Sequence, residues 1–140
     1  MLWQKNCLYY TQIQRIKMRK LDALIVEDEI DICYLLSGML KKRSLYTSYV
    51  TNIHDAYKIL ETNPPNILFL DNHLPDGKGV DFLSAVRATY PSMSIIMISA
   101  HDTNEDKQKA LQNGADLFIS KPFTMELINE AMDKFLIGIH

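Results

Sequence analysis

The chain has 140 residues, 47% of them hydrophobic and 23% charged, with five glycines and five prolines, so one domain with a proper core is expected and disordered, collagen-like and low-complexity classes are excluded. The net charge of −2 conceals a split: residues 1–20 carry +5, from Lys5, Arg15, Lys17, Arg19 and Lys20, and the remaining chain carries −7. An acidic body is a poor nucleic-acid binder, and no apolar stretch reaches the ~18 residues of a membrane-spanning helix.

Residues 1–20 read as an appendage, and residues 21–137 as the domain. The appendage lacks the apolar run of a secretory signal. Two readings stand. Leu2, Tyr9, Ile13 and Ile16 fit one face of an amphipathic docking helix. Alternatively, the segment is a non-native upstream start, since Met18-Arg19-Lys20-Leu21 would itself begin the chain immediately before the first strand. Cys7 and Cys33 supply neither a disulfide framework nor metal-ligand spacing, so a reducing cytoplasm is the expected setting.

The body reads as five strand–helix units. Ala23-Leu24-Ile25-Val26 is a continuous apolar run, the pattern of a strand buried on both faces. Ile32, Leu35, Leu36, Met39 and Leu40 follow at helical spacing, and Lys41-Lys42-Arg43 suit a helix C-terminus. Thr47-Ser48-Tyr49-Val50 is a more polar strand and is expected at a sheet edge. A second helix, Ile53 to Glu61, is stopped by Asn63-Pro64-Pro65. Asn66-Ile67-Leu68-Phe69-Leu70 is the next buried strand, followed by a loop with the turn signal Pro75-Asp76-Gly77. Val80 to Thr89 is the third helix, and Ile95-Ile96-Met97-Ile98 the fourth strand. Asp102 or Thr103 can cap a fourth helix that ends at Asn113-Gly114. Leu117-Phe118-Ile119 is the last strand, and Thr124 to Leu136 the last helix.

Such alternation implies a parallel sheet covered on both faces by helices, with ligands at the carboxyl ends of the strands. Those ends carry Glu27-Asp28-Glu29, Asp71, Ser99-Ala100 and Ser120-Lys121-Pro122. Carboxylates ~4 Å apart repel by roughly 4 kcal/mol at an effective dielectric of about 20, so the cluster needs a cation. Oxygen ligands without a cysteine or histidine side chain suit Mg²⁺. A carboxylate nucleophile, a metal and a lysine make a phosphoryl-transfer constellation. Singly, each residue has a plainer reading: a helix cap, a turn residue, a structural serine, a solvated lysine. Their joint occurrence at the strand ends favours the site.

In order and spacing, these motifs resemble the receiver domain of two-component response regulators, over about residues 20–137. The carriers are Leu24-Ile25-Val26-Glu27-Asp28-Glu29, Leu70-Asp71-Asn72-His73-Leu74-Pro75-Asp76-Gly77, Ile98-Ser99-Ala100, and Gly114-Ala115-Asp116-Leu117-Phe118-Ile119-Ser120-Lys121-Pro122-Phe123. The resemblance implies the flavodoxin-like (βα)5 fold, a doubly wound parallel sheet with strand order 2-1-3-4-5. By position it implies Asp71 as phosphoacceptor, with Ser99 and Lys121 gripping the phosphoryl group and Phe118 as an aromatic switch. It implies Mg²⁺ held by Asp28, Glu27, Asp71 and the backbone carbonyl of His73, and a cis Lys121-Pro122 bond. The implied partner is a sensor histidine kinase or histidine phosphotransferase. Output would run through the surface of the fourth helix, fifth strand and fifth helix, toward an unknown downstream protein or a second copy in a homodimer. Nucleic-acid binding, membrane insertion and a separate turnover enzyme are not expected. Only four residues follow the last predicted helix, which reads as a stand-alone receiver similar to chemotaxis regulators. Glu27, Ser99 and Phe118 depart from the family's commoner aspartate, threonine and tyrosine. The competing reading is a receiver-like interaction module that is never phosphorylated.

Overall fold

The computed structural model describes residues 21–137; both readings of residues 1–20 lie outside the described residues, as does Cys7. Five parallel strands form one sheet: β1 (Asp22–Val26), β2 (Tyr46–Val50), β3 (Ile67–Asp71), β4 (Ser94–Ser99) and β5 (Leu117–Ser120). Their order across the sheet is 2-1-3-4-5, as expected. The helices are α1 (Ile30–Lys42), α2 (Ile53–Thr62), α3 (Gly79–Thr89), α4 (Asn104–Gln112) and α5 (Met125–Ile137). A separate antiparallel ribbon pairs His73–Leu74 with Gly77–Lys78.

Side chains alternate across the sheet, and each face has its own core. Ala23, Ile25, Phe69, Ile96 and Ile98 pack against α1, through Leu36 and Leu40, and against α5, through Ile128 and Met132. Leu24, Val26, Leu68, Leu70 and Met97 face the other way, toward Leu60 of α2, Phe82 and Leu83 of α3, and Ala110 of α4. Strands β1, β3 and β4 are buried on both faces, which is why they read as continuous apolar runs. Strand β2 exposes Tyr46, Ser48 and Tyr49 and lies at the edge, as its polarity predicts.

Caps and turns hold the helices at the rim. Asn52 Oδ1 accepts the Asp55 N–H at 2.8 Å and caps α2. Asp76, far along the chain, reinforces that terminus by accepting the Ile53 and His54 N–H groups at 2.9 Å each. Of the two candidate caps for α4, Thr103 serves: its hydroxyl accepts the Asp106 N–H and donates to Asp106 Oδ2. Gly114 closes α4 at φ +117°, and a Cβ there would meet Arg87 Cγ at 2.7 Å. Arg87 is a strut. It donates to the carbonyls of Gly114 and Met93 and pairs with Asp116 at 2.8 Å, which also accepts the Ile95 N–H. The strut joins α3 to the starts of β4 and β5.

Candidate functional site

The register aligns polar strand ends on one rim. Asp71 ends β3 opposite Ile98, and Ser99 ends β4 opposite Ser120. Glu27 and Lys121 follow β1 and β5 by one residue. The sequence expectation ended β3 at Leu70 and β4 at Ile98; each ladder runs one residue further and takes in the polar residue itself. Glu27 and Ser99 are wholly buried and Asp71 is 4% exposed. Polar groups so deep in an apolar fold need partners.

Lys121 supplies the central one. Its Nζ lies 2.7 Å from Glu27 Oε2, 3.5 Å from Asp71 Oδ1 and 3.9 Å from Glu29 Oε1. The Lys121 ammonium is the ionic partner of Glu27 Oε2, and among the described residues no other group donates to that oxygen. Glu27 Oε1 accepts the Glu29 N–H at 3.2 Å. The plainer reading of this stretch as a helix cap fails for Glu29, whose side chain makes no cap hydrogen bond although it stands at the N-cap of α1.

Burial pushes the Glu27 carboxyl up to about 7, with the neighbouring Asp71 charge adding to the rise and Lys121 opposing it. Burial also raises Asp71, against the pull of Lys121 and the amides of His73 and Asn72. For Lys121, burial would lower the ammonium's pKa, but the contact with Glu27 and the charges of Asp71, Glu27 and Glu29 outweigh it, and the net shift is upward. One ammonium therefore serves several carboxylates.

Glu27, Asp28 and Asp71 each offer a carboxylate oxygen, all within 4.8 Å of one another. Asp28 is exposed where the other two are buried, so the cluster has a side open to water. An all-oxygen donor set, buried carboxylates that share a single ammonium and an open side fit a hard dication that keeps part of its water.

The loops around the cluster are tied down. The Lys121 N–H donates to the Ser99 carbonyl at 2.9 Å, and the His101 N–H to Ser99 Oγ at 3.1 Å. The Gly79 N–H reaches the Asn72 carbonyl, and a Cβ on Gly79 would meet the Asp71 carbonyl oxygen at 2.1 Å. Only glycine lets α3 start this close behind Asp71. Phe118 is partly buried on the α2–α3–α4 face of β5. The Lys121-Pro122 peptide is cis, as the resemblance implied.

Glu29, read with the carboxylates that follow the first strand but given no separate role, joins the Lys121 network. Three contributors had escaped the sequence reading: Gly79 backs Asp71, His101 touches His73, and Cys33 lies against Glu27. Cys33 donates its S–H to the Glu27 carbonyl at 3.2 Å, and burial, with the Glu27 charge behind it, pushes that thiol up to about 11. Gly79 alone had a local signal, the Gly77-Lys78-Gly79 run.

A five-stranded parallel sheet with this rim is the architecture of a signal receiver, and comparison with known proteins gives the family. Residues 23–133 match the response regulator receiver domain, and the chain belongs to that family. It is 33% identical to the response regulator protein PilR of Pseudomonas aeruginosa, over 81% of this chain and 25% of that protein. It is 32% identical to the nitrogen assimilation regulatory protein NtrX of Azorhizobium caulinodans, over 75% of this chain and 24% of that protein. The chain thus spans about a quarter of the length of the curated relatives it matches. Among solved structures, it matches the receiver domain of NtrX from Brucella abortus at TM-score 0.76 and 29% identity, covering 81% of this chain and 96% of that one. A CheY-like receiver from Methanospirillum hungatei matches at TM-score 0.81 and 23% identity, over 86% of this chain and 97% of that one, and supports the flavodoxin-like fold. Among the described residues, no helix is long and apolar enough to cross a membrane.

Proposed function

We propose that this receiver takes a phosphoryl group onto Asp71 from a phosphohistidine of a sensor histidine kinase or histidine phosphotransferase. The observation that carries the reading is the buried Asp71 carboxylate with Lys121 Nζ 3.5 Å away and two further carboxylates beside it. An Asp71 oxygen attacks phosphorus in line as the bond to the donor imidazole breaks. Lys121 neutralises charge on the transferred oxygens, and Ser99 donates a hydrogen bond to one of them. Asp28 and Asp71 would hold Mg²⁺, with Glu27 and the His73 carbonyl completing the protein's share. When bound, the ion supplies charge neutralisation at the equatorial oxygens.

Signalling then rests on a two-state rim. A phosphoryl group on Asp71 draws Ser99 inward and frees space for Phe118, which already lies against the α4 side of the sheet. The α4–β5–α5 surface changes, and a downstream partner or a second copy reads the change. The shift is as large as the difference in phosphoryl affinity between the two states. A cytoplasmic setting, the domain boundary at residue 21 and the absence of nucleic-acid contact by this domain belong to the same reading.

The test is the intact mass of the protein after acetyl phosphate and Mg²⁺, with Asp71→Asn alongside. Gain of one phosphoryl group in the wild type alone establishes Asp71. No gain, with no spectral change in beryllofluoride, would favour a receiver-shaped interaction module.

A further inference from the structure

Two histidines meet in the loops that carry the chain on from Asp71 and Ser99. His73 comes from the ribbon after β3 and His101 from the loop after β4; their ring centres lie 4.2 Å apart with the planes at 61°. Both residues are exposed. Their backbones are anchored: His73 is paired opposite Lys78, and the His101 N–H donates to Ser99 Oγ. The imidazoles are thus brought together by two separately fixed loops and are accessible to solvent.

We propose that His73 and His101 form a two-nitrogen site for a tetragonal transition-metal dication, copper(II) or nickel(II), distinct from the all-oxygen carboxylate cluster. Imidazole suits these ions, whereas the carboxylate cluster suits harder ones. Ring centres 4.2 Å apart bring two imidazoles within reach of one ion after side-chain rotation. Among the dications that imidazole binds, copper(II) stands highest in the general order of affinity, ahead of nickel(II) and zinc, and it favours tetragonal nitrogen and oxygen donors. An ion held this way would tie together the loops that follow Asp71 and Ser99. The site itself stands whether or not Asp71 accepts a phosphoryl group.

Copper(II) at one equivalent, added to the full chain at neutral pH and read by electron paramagnetic resonance, tests this. The expected spectrum shows two coupled imidazole nitrogens. His73→Gln and His101→Gln should each remove that pattern and weaken copper binding by at least about tenfold. Asp28→Asn and His54→Gln should keep it. A spectrum that survives both the His73 and His101 changes overturns the site, as does one lost in Asp28→Asn. Both rings are exposed, so glutamine should not disturb folding; a Mg²⁺-induced rise in melting temperature retained in His101→Gln confirms that separately.

Discussion

The Lys121 ammonium stands 2.7 Å from Glu27 Oε2, and the Glu27 side chain has no exposure to water. Even so, the pairing does not hold Glu27 in the ordinary carboxylate range, because burial raises it more than Lys121 lowers it. The same ammonium must also serve Asp71, 3.5 Å away. The protein's own groups therefore bring more negative charge to the rim than Lys121 neutralises. That excess is a cost to the fold that a further cation would relieve.

Removing one charge should show this directly. Asp71→Asn keeps the shape of the side chain and deletes a buried carboxylate whose pKa is raised chiefly by burial. It also relieves the Asp71 contribution to the rise in Glu27. Metal-free Asp71→Asn should melt above the wild type, by on the order of 1 kcal/mol in stability. A lower melting temperature in EDTA would mean that the attraction to Lys121 outweighs burial and repulsion together.

The pH dependence has a defined sign. Glu27 titrates near 7 in the fold against 4.5 as its ordinary value, so between those limits the folded chain binds the extra proton. Its contribution to stability is complete below about 4.5 and is lost as pH rises through about 7. Asp71, also raised by burial, shares that sign, whereas a lowered carboxylate has the opposite one. Asp76, lowered by the Ile53 and His54 amides, contributes stability that is lost as pH falls through its folded-state pKa. The useful quantity is therefore the wild type minus Glu27→Gln. In EDTA, that difference should favour the wild type at pH 5.5 relative to pH 8 by on the order of 1 kcal/mol or more. Urea unfolding at the two pH values measures it, and a flat difference would place the proton elsewhere.

The strands were legible because β1, β3 and β4 are buried on both faces and so had to be apolar throughout. The site was legible because its residues fall at the ends of those runs, where the register of a parallel sheet brings them to one rim. Contacts between loops distant in sequence had no such signal. Asp76 caps a helix that starts 23 residues earlier, and Arg87 bridges to Asp116 29 residues later. Their composition looks like any polar loop or helix end. His101 meeting His73 is the same kind of fact, since neither periodicity nor turn chemistry points one ring at the other.

Arg87 offers a test of that hidden architecture. Its guanidinium donates to Gly114, Met93 and Asp116 at once, and the Asp116 oxygen also takes the Ile95 N–H. Arg87→Ala should destabilise the domain by about 2 kcal/mol, since it strands acceptors of a charge-assisted network. Arg87→Lys should recover little, because an ammonium lacks the planar fork that reaches three directions. Chemical denaturation distinguishes the two; full recovery by lysine would reduce the strut to a surface ion pair.

The excess negative charge at the rim predicts how the domain responds to magnesium. A ligand that binds only the folded state stabilises it by mass action, by about 2.7 kcal/mol at a hundredfold excess over Kd. Millimolar Mg²⁺ should therefore raise the melting temperature of the wild type, and Asp28→Asn should lose most of that rise. Asp28 is the informative position because it is the exposed member of the cluster, so its removal leaves the buried contacts of Lys121 in place. The rise should also shrink at pH 5.5, where Glu27, titrating near 7, holds a proton that a metal must displace. Matching ionic strength with sodium chloride separates site binding from screening. An equal rise in wild type and Asp28→Asn, or an equal rise in sodium chloride, would remove Asp28 from the metal site and leave Lys121 as the only cation that this rim recruits.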